Sequence, residues 1–330
     1  MKGEKMKAAF CTKYGNAEVL EVKETNKPQP KDGEVLIKIM VAGITTADSM
    51  MRQGTPRYAR LFLGLRRPKQ AIVGTGFAGI VEAKGKGVDE FEIGDEVFGE
   101  TGLVFSSNAE FVCIPTDGVI LHKPDFLTFE EAAPMCDGVL TSLNFLQELA
   151  KVQKGQKVLI NGASGSLGVA AIQIAKYFGA HVTGVCSTKN VELVKSLGAD
   201  EVIDYKVKDF TLSSNTYDVI YDTIGASSFS KSKKVLTEKG LYLSPVLNMA
   251  LLFRMIVTSL FGKKKAIFQA TGLRAAPELK KLLTDFLPVM KSKAVKVFID
   301  KKYPLEDIVT AHSYIDTGRK RGNIILLVNK

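Results

Sequence analysis

Residues 157–168 read KVLINGASGSLG, and the sequence VAAIQIAKYFGA follows directly. The short apolar run predicts a buried strand, the small residues after it predict a tight turn, and the remaining pattern predicts an amphipathic helix. A turn of this kind at a helix N-terminus presents backbone N–H groups to a phosphate. The stretch therefore predicts the first strand–turn–helix unit of a dinucleotide-binding domain.

The turn itself contains the pattern Ala-x-Gly-x-x-Gly between Ala163 and Gly168. Gly165 removes the side chain where the backbone must approach a pyrophosphate, and Gly168 lets the helix pack close to the strand. Ala163 stands where a first glycine is usual. Because further strand–helix units follow, we expect a bound dinucleotide here rather than a turn without a ligand.

The end of the next predicted strand, HVTGVC over 181–186, indicates which dinucleotide binds. An NAD site carries an acidic residue there for the ribose 2′-hydroxyl, but residues 186–189 read CSTK and the first carboxylate is Glu192. A hydroxyl and a cation suit a 2′-phosphate instead. We therefore expect NADP(H), with Ser187 and Lys189 at the 2′-phosphate; a solvent-exposed lysine is the alternative for Lys189.

The rest of the chain shows two patterns. Short β-type runs, separated by Gly, Pro and Asp, fill the first 125 residues and predict an irregular antiparallel barrel. Strand–helix alternation begins after Thr128, which forms a capping-box pattern with Glu131 and leads into a doubly wound parallel sheet. β-type runs return at 294–300 and 323–329. We expect an α/β protein with a β-barrel domain over 1–125, to which 285–330 return, and a dinucleotide-binding domain over 126–284.

Composition narrows the class of protein. The chain has 330 residues, which suffices for two domains, and 45 Lys+Arg against 35 Asp+Glu give a net charge of +10. No nucleic-acid-recognition motif accompanies this charge, so we expect no nucleic-acid partner. Four cysteines without a Cys-x-x-Cys pair, and a start that lacks a secretory signal, predict reduced thiols and a cytoplasmic location.

An apolar stretch over 246–261 reads VLNMALLFRMIVTSLF. Arg254 interrupts it, and it is shorter than the roughly 20 residues that a membrane-spanning helix needs. We expect a buried or interface helix and no transmembrane segment. The Gly-Lys-Lys-Lys that follows leaves peripheral membrane contact as the alternative.

Several motifs together resemble the medium-chain dehydrogenase/reductase superfamily, specifically its zinc-free, quinone oxidoreductase-like branch. The residues that carry the resemblance are VAGITTAD at 41–48, GIV at 79–81, FEIGDEVFG at 91–99, AEF at 109–111, the turn at 162–168, LGAD at 197–200 and VIDY at 202–205. The resemblance covers essentially the whole chain. It implies a GroES-like catalytic domain plus a Rossmann domain, an active site in the cleft between them, and a homodimer.

The same resemblance indicates whether the chain carries the ligands of a zinc site. Zinc alcohol dehydrogenases of this superfamily carry Cys where this chain has Thr45, and His-Glu where it has Thr75-Gly76. Threonine and glycine cannot supply the thiolate and imidazole ligands of a tetrahedral zinc site. We therefore expect no metal.

Without a Lewis acid, a hydride acceptor must already be electron-poor. This favours a small-molecule quinone or an α,β-unsaturated carbonyl compound as substrate. Thr45 and Thr46 are the candidates to touch nicotinamide or substrate, and Tyr58 is the candidate to close the cleft or donate a proton, with a packing role as its alternative. Asp48 would orient this loop or cap a helix. Thr45 and Tyr58 are thus the predicted catalytic residues.

The resemblance also implies cofactor contacts along both domains. The full predicted cofactor-binding set is Thr46, Thr141, Ala163, Ser164, Gly165, Ser166, Leu167, Gly168, Cys186, Ser187, Lys189, Tyr205, Asp222, Thr223, Ile224, Ser244, Pro245, Val246 and Asn323.

Three functions stay open at this point. The first is an NADPH-dependent reductase of quinones or enones. The second is a zinc-free reductase of alcohols or ketones. The third is a non-catalytic NADPH-binding sensor or membrane-peripheral protein.

Overall fold

The computed structural model describes residues 4–329, apart from the side chain of Leu103. The strands within this range are β1 (Lys5–Cys11), β2 (Leu20–Asn26), β3 (Glu34–Ile44), β4 (Gly76–Lys84), β5 (Glu96–Glu100), β6 (Phe111–Pro115), β7 (Val119–His122), β8 (Lys157–Asn161), β9 (His181–Cys186), β10 (Glu201–Asp204), β11 (Tyr217–Asp222), β12 (Leu236–Ser244), β13 (Lys265–Phe268), β14 (Ile299–Pro304) and β15 (Asn323–Leu327).

The α-helices within the same range are α1 (Thr46–Gln53), α2 (Arg60–Leu63), α3 (Phe129–Ala132), α4 (Thr141–Leu143), α5 (Ser166–Tyr177), α6 (Val191–Ser196), α7 (Phe229–Ser232), α8 (Met249–Phe261), α9 (Ala276–Lys291) and α10 (Ile308–Asp316). Two π-helical segments, Cys136–Leu140 and Asn144–Leu149, flank α4. Together with α4 they form one uninterrupted helical stretch from Cys136 to Leu149.

The chain forms two compact units. The first runs to Asp137 and adds Ala275–Leu283 and the segment from Ile299 onward, while the second comprises Gly138–Arg274 and Thr284–Phe298. These boundaries differ from those predicted at 125/126 and 284/285. The segment before Asp137 stays with the first unit because it packs on strands β3 and β4, where Gly43 and Gly76 leave room for the Ala133 carbonyl.

The first unit contains a seven-stranded sheet in which β14, β15, β3, β4, β5 and β7 are neighbours in that order and β6 pairs with β3. All pairs in it are antiparallel except β14–β15. Its core consists of apolar side chains that alternate along the strands, such as Ile37, Ile39 and Phe77. The register pairs Ile324 with Ile44, which places the C-terminal strand beside the turn that begins α1.

The strand predicted over 294–300 is largely wrong, because β14 begins at Ile299. The reason lies in the second unit. The Gln173 side chain, on the buried face of α5, donates to the Lys296 carbonyl over 3.0 Å and accepts from the Lys296 amide over 2.9 Å. These two bonds occupy the backbone groups that a β-ladder would use.

The second unit contains a six-stranded sheet with the order β10, β9, β8, β11, β12 and β13. Every neighbouring pair in it is parallel, so the predicted parallel sheet is confirmed. Helix α5 begins at Ser166 and ends two residues before Gly179, whose φ of +78° suits glycine. The capping box of Thr128 and Glu131 also forms.

Most of the apolar stretch over 246–261 forms α8 (Met249–Phe261), and one apolar face of this helix is exposed. Of the two expected alternatives, the structure excludes a fully buried helix, and an interface helix stays a prediction. Among residues 4–329, no helix combines the length and the apolar character that crossing a bilayer requires.

A buried ion pair joins α1 to α10 inside the first unit. The Arg52 guanidinium is fully buried and lies 2.6 Å from the Asp316 carboxylate, and it also donates to the Gly15 carbonyl over 2.6 Å. Ser49 donates to the same carboxylate. Burial lowers the pKa of His312 to about 3, with the Arg52 charge adding to the effect, so the neutral ring accepts from Arg52.

We expect Asp316→Ala to destabilise the protein by about 3 kcal/mol, because it leaves a fully buried guanidinium without its counter-ion. The free energy of unfolding in urea measures this change. The control is Glu21→Ala, which breaks the exposed pair with Lys23 and should cost less than about 1 kcal/mol. Equal losses in the two variants would contradict the prediction.

Candidate functional site: a dinucleotide cradle and a buried carboxyl cluster

The turn between β8 and α5 is fastened to the neighbouring strand by its backbone. Gly162 and Ala163 both donate to the Val185 carbonyl, over 3.2 and 3.0 Å, and Gly165 donates to the Gly162 carbonyl over 3.0 Å. The first turn of α5 begins directly after it. N–H groups in a helix's first turn lack intrahelical acceptors and attract anions.

The glycines of this turn differ in what surrounds them. A Cβ on Gly168 would lie 2.3 Å from the Gly162 carbonyl oxygen, and one on Gly162 would lie 2.6 Å from Thr223 Oγ1, so packing requires both. A Cβ on Gly165 would meet only the Gly162 oxygen, at an ordinary 3.5 Å. The protein therefore leaves the space over Gly165 open, and a pyrophosphate that approaches the backbone would fill it.

Ala163 departs from the usual first glycine, and the structure shows how the fold accommodates it. Its side chain is fully buried, and a Cβ on Gly184 would lie 3.2 Å from the Ala163 Cβ and 2.4 Å from Val194. The missing side chain at Gly184 thus makes room for the methyl group of Ala163. The turn keeps its shape despite the substitution.

The carboxyl end of β9 places Ser187 beside this turn. Asn190 donates to Ser164 Oγ over 2.9 Å and to Ser187 Oγ over 3.3 Å, which links the turn to the strand end. Sequence reasoning missed Asn190. Its position at the start of α6 was the available signal, but there it makes no capping bond with its side chain. Lys189 is exposed next to it.

A carboxylate does reach this edge, from the end of β10. Asp204 accepts hydrogen bonds from the Thr188 side chain and amide and from the Lys206 amide, and the Thr188 hydroxyl contributes most to lowering its pKa. Tyr205, which is exposed, donates its amide to the Cys186 carbonyl over 3.0 Å. Burial raises the pKa of Cys186 to about 11, so its thiol is neutral.

Asp222, a predicted cofactor contact, is engaged by side chains and an amide of the second unit. Its side chain is fully buried and accepts from Asn161 Nδ2 over 2.9 Å, from the Tyr242 hydroxyl over 2.7 Å and from the Ser227 amide over 2.8 Å. The carboxylate joins β8, β11 and β12 beneath the surface. The side chain thus has a structural role, and its contact with the cofactor stays a prediction.

The other predicted residues of the second unit, apart from Thr141 in α4, follow the carboxyl ends of strands in one sheet. Carboxyl ends of parallel strands meet at the same edge, and the residues after β8, β9, β10, β11 and β12 are among those predicted. Ile224 is exposed, whereas Ser244 is buried and accepts from the Val246 amide over 3.2 Å. Pro245 and Thr141 are half-buried. Ser142 donates to the Leu167 carbonyl over 3.0 Å and fixes the first turn of α5.

In the first unit, Thr45 begins α1 through a reciprocal cap. The Asp48 amide donates to Thr45 Oγ1 over 3.0 Å, and the Thr45 amide and hydroxyl donate to Asp48 Oδ2 over 2.8 and 2.9 Å. Asp48 thus acts as a helix cap, one of its two expected roles. The Thr45 hydroxyl proton is engaged by this carboxylate, so its contact with substrate stays a prediction. Thr46 is exposed.

Tyr58 lies on a single helical turn, Arg57–Ala59, and is 38% exposed. Partial burial raises the pKa of its hydroxyl above the ordinary value. The ring is accessible, and its role as a proton donor stays a prediction.

A cluster of ionisable groups lies near α1. Burial raises the pKa of Asp48 and of Glu100 to about 7, and the charge of Asp137 contributes to both shifts. Burial lowers the pKa of Lys320, against the opposing effects of Asp137, Asp300 and Asp48. Asn323, at the start of β15, is buried. The cluster can hold a proton near neutral pH.

Sequence reasoning missed Glu100, Asp137 and Lys320. The available signal was a carboxylate at the end of an apolar strand, since Glu100 ends β5 and pairs with Gly76 across the ladder. Only the fold shows that the charge of Asp137 reaches this carboxylate.

Thr45 and Gly76 stand at positions where zinc alcohol dehydrogenases carry residues of the zinc site. Thr45 caps α1, and a Cβ on Gly76 would lie 2.8 Å from the Ala133 carbonyl oxygen, so no larger side chain fits there. Across residues 4–329, no three His, Cys, Asp or Glu side chains group closely enough to hold a metal ion.

The parallel sheet with its phosphate turn, together with the β-rich first unit, defines the class of two-unit dinucleotide-binding proteins. Residues 31–125 match the model of the alcohol dehydrogenase GroES-like domain, and residues 197–326 match that of the zinc-binding dehydrogenases. The chain belongs to the zinc-free, quinone oxidoreductase-like branch of the medium-chain dehydrogenase/reductase superfamily.

Three similar proteins illustrate the branch. The 2-methylene-furan-3-one reductase of Solanum lycopersicum is 35% identical over 97% of this chain and 79% of its own length. The chloroplastic NADPH-dependent alkenal/one oxidoreductase of Arabidopsis thaliana is 30% identical over 98% and 80%. The solved quinone oxidoreductase of Coxiella burnetii superposes with a TM-score of 0.87 at 29% identity, over 99% and 100%.

We expect Glu100→Gln to stabilise the protein at pH 8 and to flatten its pH dependence. The folded pKa of about 7 exceeds the ordinary 4.5, so Glu100 costs no stability below about pH 4.5 and progressively more as the pH rises to about 7. The gain at pH 8 should be about 1 to 3 kcal/mol.

Urea unfolding at several pH values measures this effect. The control is Glu96→Gln on the same strand, whose side chain is 46% exposed. A pH dependence that is unchanged in Glu100→Gln would show that this half-buried carboxyl does not titrate in this range.

Proposed function

We propose that this chain is an NADPH-dependent oxidoreductase that transfers hydride to a quinone or an α,β-unsaturated carbonyl compound without zinc. The observation that carries the proposal is the open space over Gly165 in the 162–168 turn. This turn is attached to the end of β9, which is followed by a hydroxyl, Ser187, and a cation, Lys189, rather than by a carboxylate. Asp204, the acidic group at this edge, is already engaged by Thr188 and Lys206.

The names of the relatives support the acceptor class. A 2-methylene-furan-3-one, an alkenal or enone, and a quinone all present a carbon–carbon double bond conjugated to a carbonyl group. Such acceptors take up hydride without a Lewis acid to polarise them. A first unit in which Thr45 and Gly76 stand at the compared zinc positions is consistent with that chemistry.

NADPH, when bound, supplies the hydride. The amides of the 162–168 turn and of the first turn of α5 would bind the pyrophosphate. Ser187 and Lys189 would bind the 2′-phosphate, and Tyr205 would lie by the adenosine. Thr141, Ser244 and Val246 would border the nicotinamide side. In the first unit, Thr46 and Asn323 remain proposed contacts.

The reduced acceptor carries negative charge on oxygen and needs a hydrogen-bond donor and a proton. Tyr58 is the proposed donor from the sequence. Asp48 and Glu100 have pKa values of about 7, so each holds a proton near neutral pH. We propose that they supply the proton that Tyr58 donates. Thr45 positions Asp48 through the helix cap.

Two partners beyond the substrate are also proposed. The second unit's sheet ends in the edge strand β13, whose outer side offers backbone groups to a second copy, so we propose a homodimer. We also propose a peripheral contact with a membrane, because the exposed apolar side chains of α8 are followed closely in sequence by Lys263, Lys264 and Lys265.

An acceptor panel tests the proposed activity. We expect the purified protein to oxidise NADPH with quinones and enones, to leave simple ketones unreduced, and to keep its activity after treatment with a metal chelator. Turnover of ketones alone would favour the zinc-free ketone reductase. Tight NADPH binding without turnover of any acceptor would favour the non-catalytic sensor.

We expect Lys189→Ala to raise the KM for NADPH by about tenfold while leaving the KM for NADH nearly unchanged, because a charge-assisted bond to a phosphate contributes roughly 1.5 kcal/mol or more. Fluorescence titration with both cofactors gives a second measurement without turnover. The control is Lys195→Ala, an exposed lysine on the same helical segment. A wild-type preference for NADH would overturn the assignment of Ser187 and Lys189.

A further inference from the structure

A single cation interrupts the apolar sequence of α8. Arg254 is the one charged residue between Met249 and Phe261, and its side chain is half-buried. It follows Leu251 by three positions and precedes Thr258 by four, so it shares a face of the helix with these two residues. Because Leu251 and Thr258 are buried, this is the face of α8 that packs on the second unit. The arginine therefore lies on the packed face and not on the exposed apolar one.

The guanidinium of Arg254 has no anionic partner within residues 4–329. It makes no ion pair and donates no hydrogen bond there, and the ring of the neighbouring Phe253 lies 5.9 Å from the guanidinium carbon. A half-buried guanidinium loses part of its hydration while it keeps five N–H donors. A negatively charged acceptor is the group that would compensate both effects.

Arg254 lines a cavity at the carboxyl ends of two neighbouring strands. Ser244, the last residue of β12, and Gly225, which follows β11, also line it. All the lining residues belong to the second unit. Ligands of parallel sheets bind in crevices outside the carboxyl ends of the strands. The arginine thus stands at the edge of the sheet where a ligand is expected.

The polar side chains of this cavity offer donors. Asn248 Oδ1 accepts from the Leu251 amide over 2.8 Å, which leaves Asn248 Nδ2 as a donor without an acceptor among the described residues. Within the same range the Ser230 hydroxyl makes no hydrogen bond and the Ser228 hydroxyl donates none. No acidic side chain lines the cavity. This combination suits a ligand that is anionic and only accepts hydrogen bonds.

One carboxylate lies behind the wall of the cavity. Asp222 accepts from the Ser227 amide over 2.8 Å and from the Tyr242 hydroxyl over 2.7 Å, and both of these residues line the cavity. Its other oxygen accepts from Asn161. Asp222 forms no ion pair with Arg254, so the charge of the arginine is left for a ligand.

We propose that this cavity binds a carboxylate or phosphate substituent of the hydride acceptor, and that Arg254 selects acceptors that carry this charge. The proposal deepens the proposed function and rests on it, because Ser244 and Val246 line the cavity and are also the residues proposed to border the nicotinamide. Phe229 and Leu251, both buried, supply apolar wall for the body of the acceptor. The substrate class is thereby narrowed to acidic quinones or enones.

A pair of acceptors that differ only in charge tests the proposal. The probes are the enone para-carboxybenzylideneacetone and its methyl ester. We expect the wild type to have a KM for the acid about tenfold below that for the ester, since one charge-assisted contact favours the anion. Arg254→Ala should lower this preference about tenfold through KM rather than kcat. Arg254→Lys should keep part of it, because the charge remains while the planar fork is lost.

Lys234→Ala is the matched control. It removes one positive charge from an exposed side chain of the same unit, outside the residues that line the cavity. This variant should keep the wild-type preference for the acid. Circular dichroism verifies that each variant is folded, and fluorescence titration should give the wild-type affinity for NADPH in Arg254→Ala.

Calorimetric titration separates this proposal from that of hydride transfer. The titrant is the saturated product of para-carboxybenzylideneacetone, added to the protein loaded with NADP⁺, so that binding is measured without turnover. We expect binding to the wild type that Arg254→Ala weakens about tenfold. If this result is found and no acceptor is turned over, hydride transfer is wrong while the anion site in the cavity stands.

Four outcomes would overturn the anion site. They are no binding of the saturated acid by the wild type, equal losses for the acid and the ester in Arg254→Ala, an equal loss in Lys234→Ala, and a loss of NADPH affinity in Arg254→Ala that matches the loss for the acid. The last result would assign the arginine to a phosphate of the cofactor.

Discussion

The second unit depends on the attachment of one turn to one strand. Gly162 and Ala163 donate to the same Val185 carbonyl, and this fixes where α5 begins and which way its first turn faces. The requirements at Gly162, Gly168 and Gly184 all follow from that attachment, because the turn leaves no space for further side chains. The open space over Gly165 is the exception, and its openness is what makes the turn suitable for a phosphate.

Hydrogen bonds of buried polar side chains then hold together the edge of the parallel sheet around this turn. Asn190 ties Ser164 to Ser187, and Asp222 ties β8 to β11 and β12. The Asn190 amide nitrogen and the Asp222 carboxylate have their partners inside the protein, which is the condition for burying a polar group without a large penalty. In the first unit, Asp48 and Glu100 are less well compensated, and the rise in their pKa values is the consequence. Because the cost of burying these two carboxylates is not fully offset by their partners, the two groups keep a proton up to a pH near 7.

Much of the architecture could be predicted from sequence because it rests on local patterns. The strand–turn–helix unit, the parallel alternation and the cap at Thr128 all depend on residues within a few positions of each other. The strand predicted over 294–300 failed because a distant glutamine, Gln173, takes the backbone groups of Lys296. The position of Asp222 at a strand end is visible in sequence, whereas its burial against Asn161 and Tyr242 is not.

The sequence by itself determined the class of cofactor and the type of fold, since glycines, hydroxyls and cations at fixed spacing after β-type runs restrict what the backbone can bind. Only the tertiary structure decided which carboxylates are charged and free to bind a further group. Asp204 is engaged by Thr188, Asp222 is buried beneath the edge, and Glu100 has its pKa raised by burial and by the charge of Asp137. The protonation and the availability of a carboxylate depend on its neighbours in space, and these come from segments far apart in the chain.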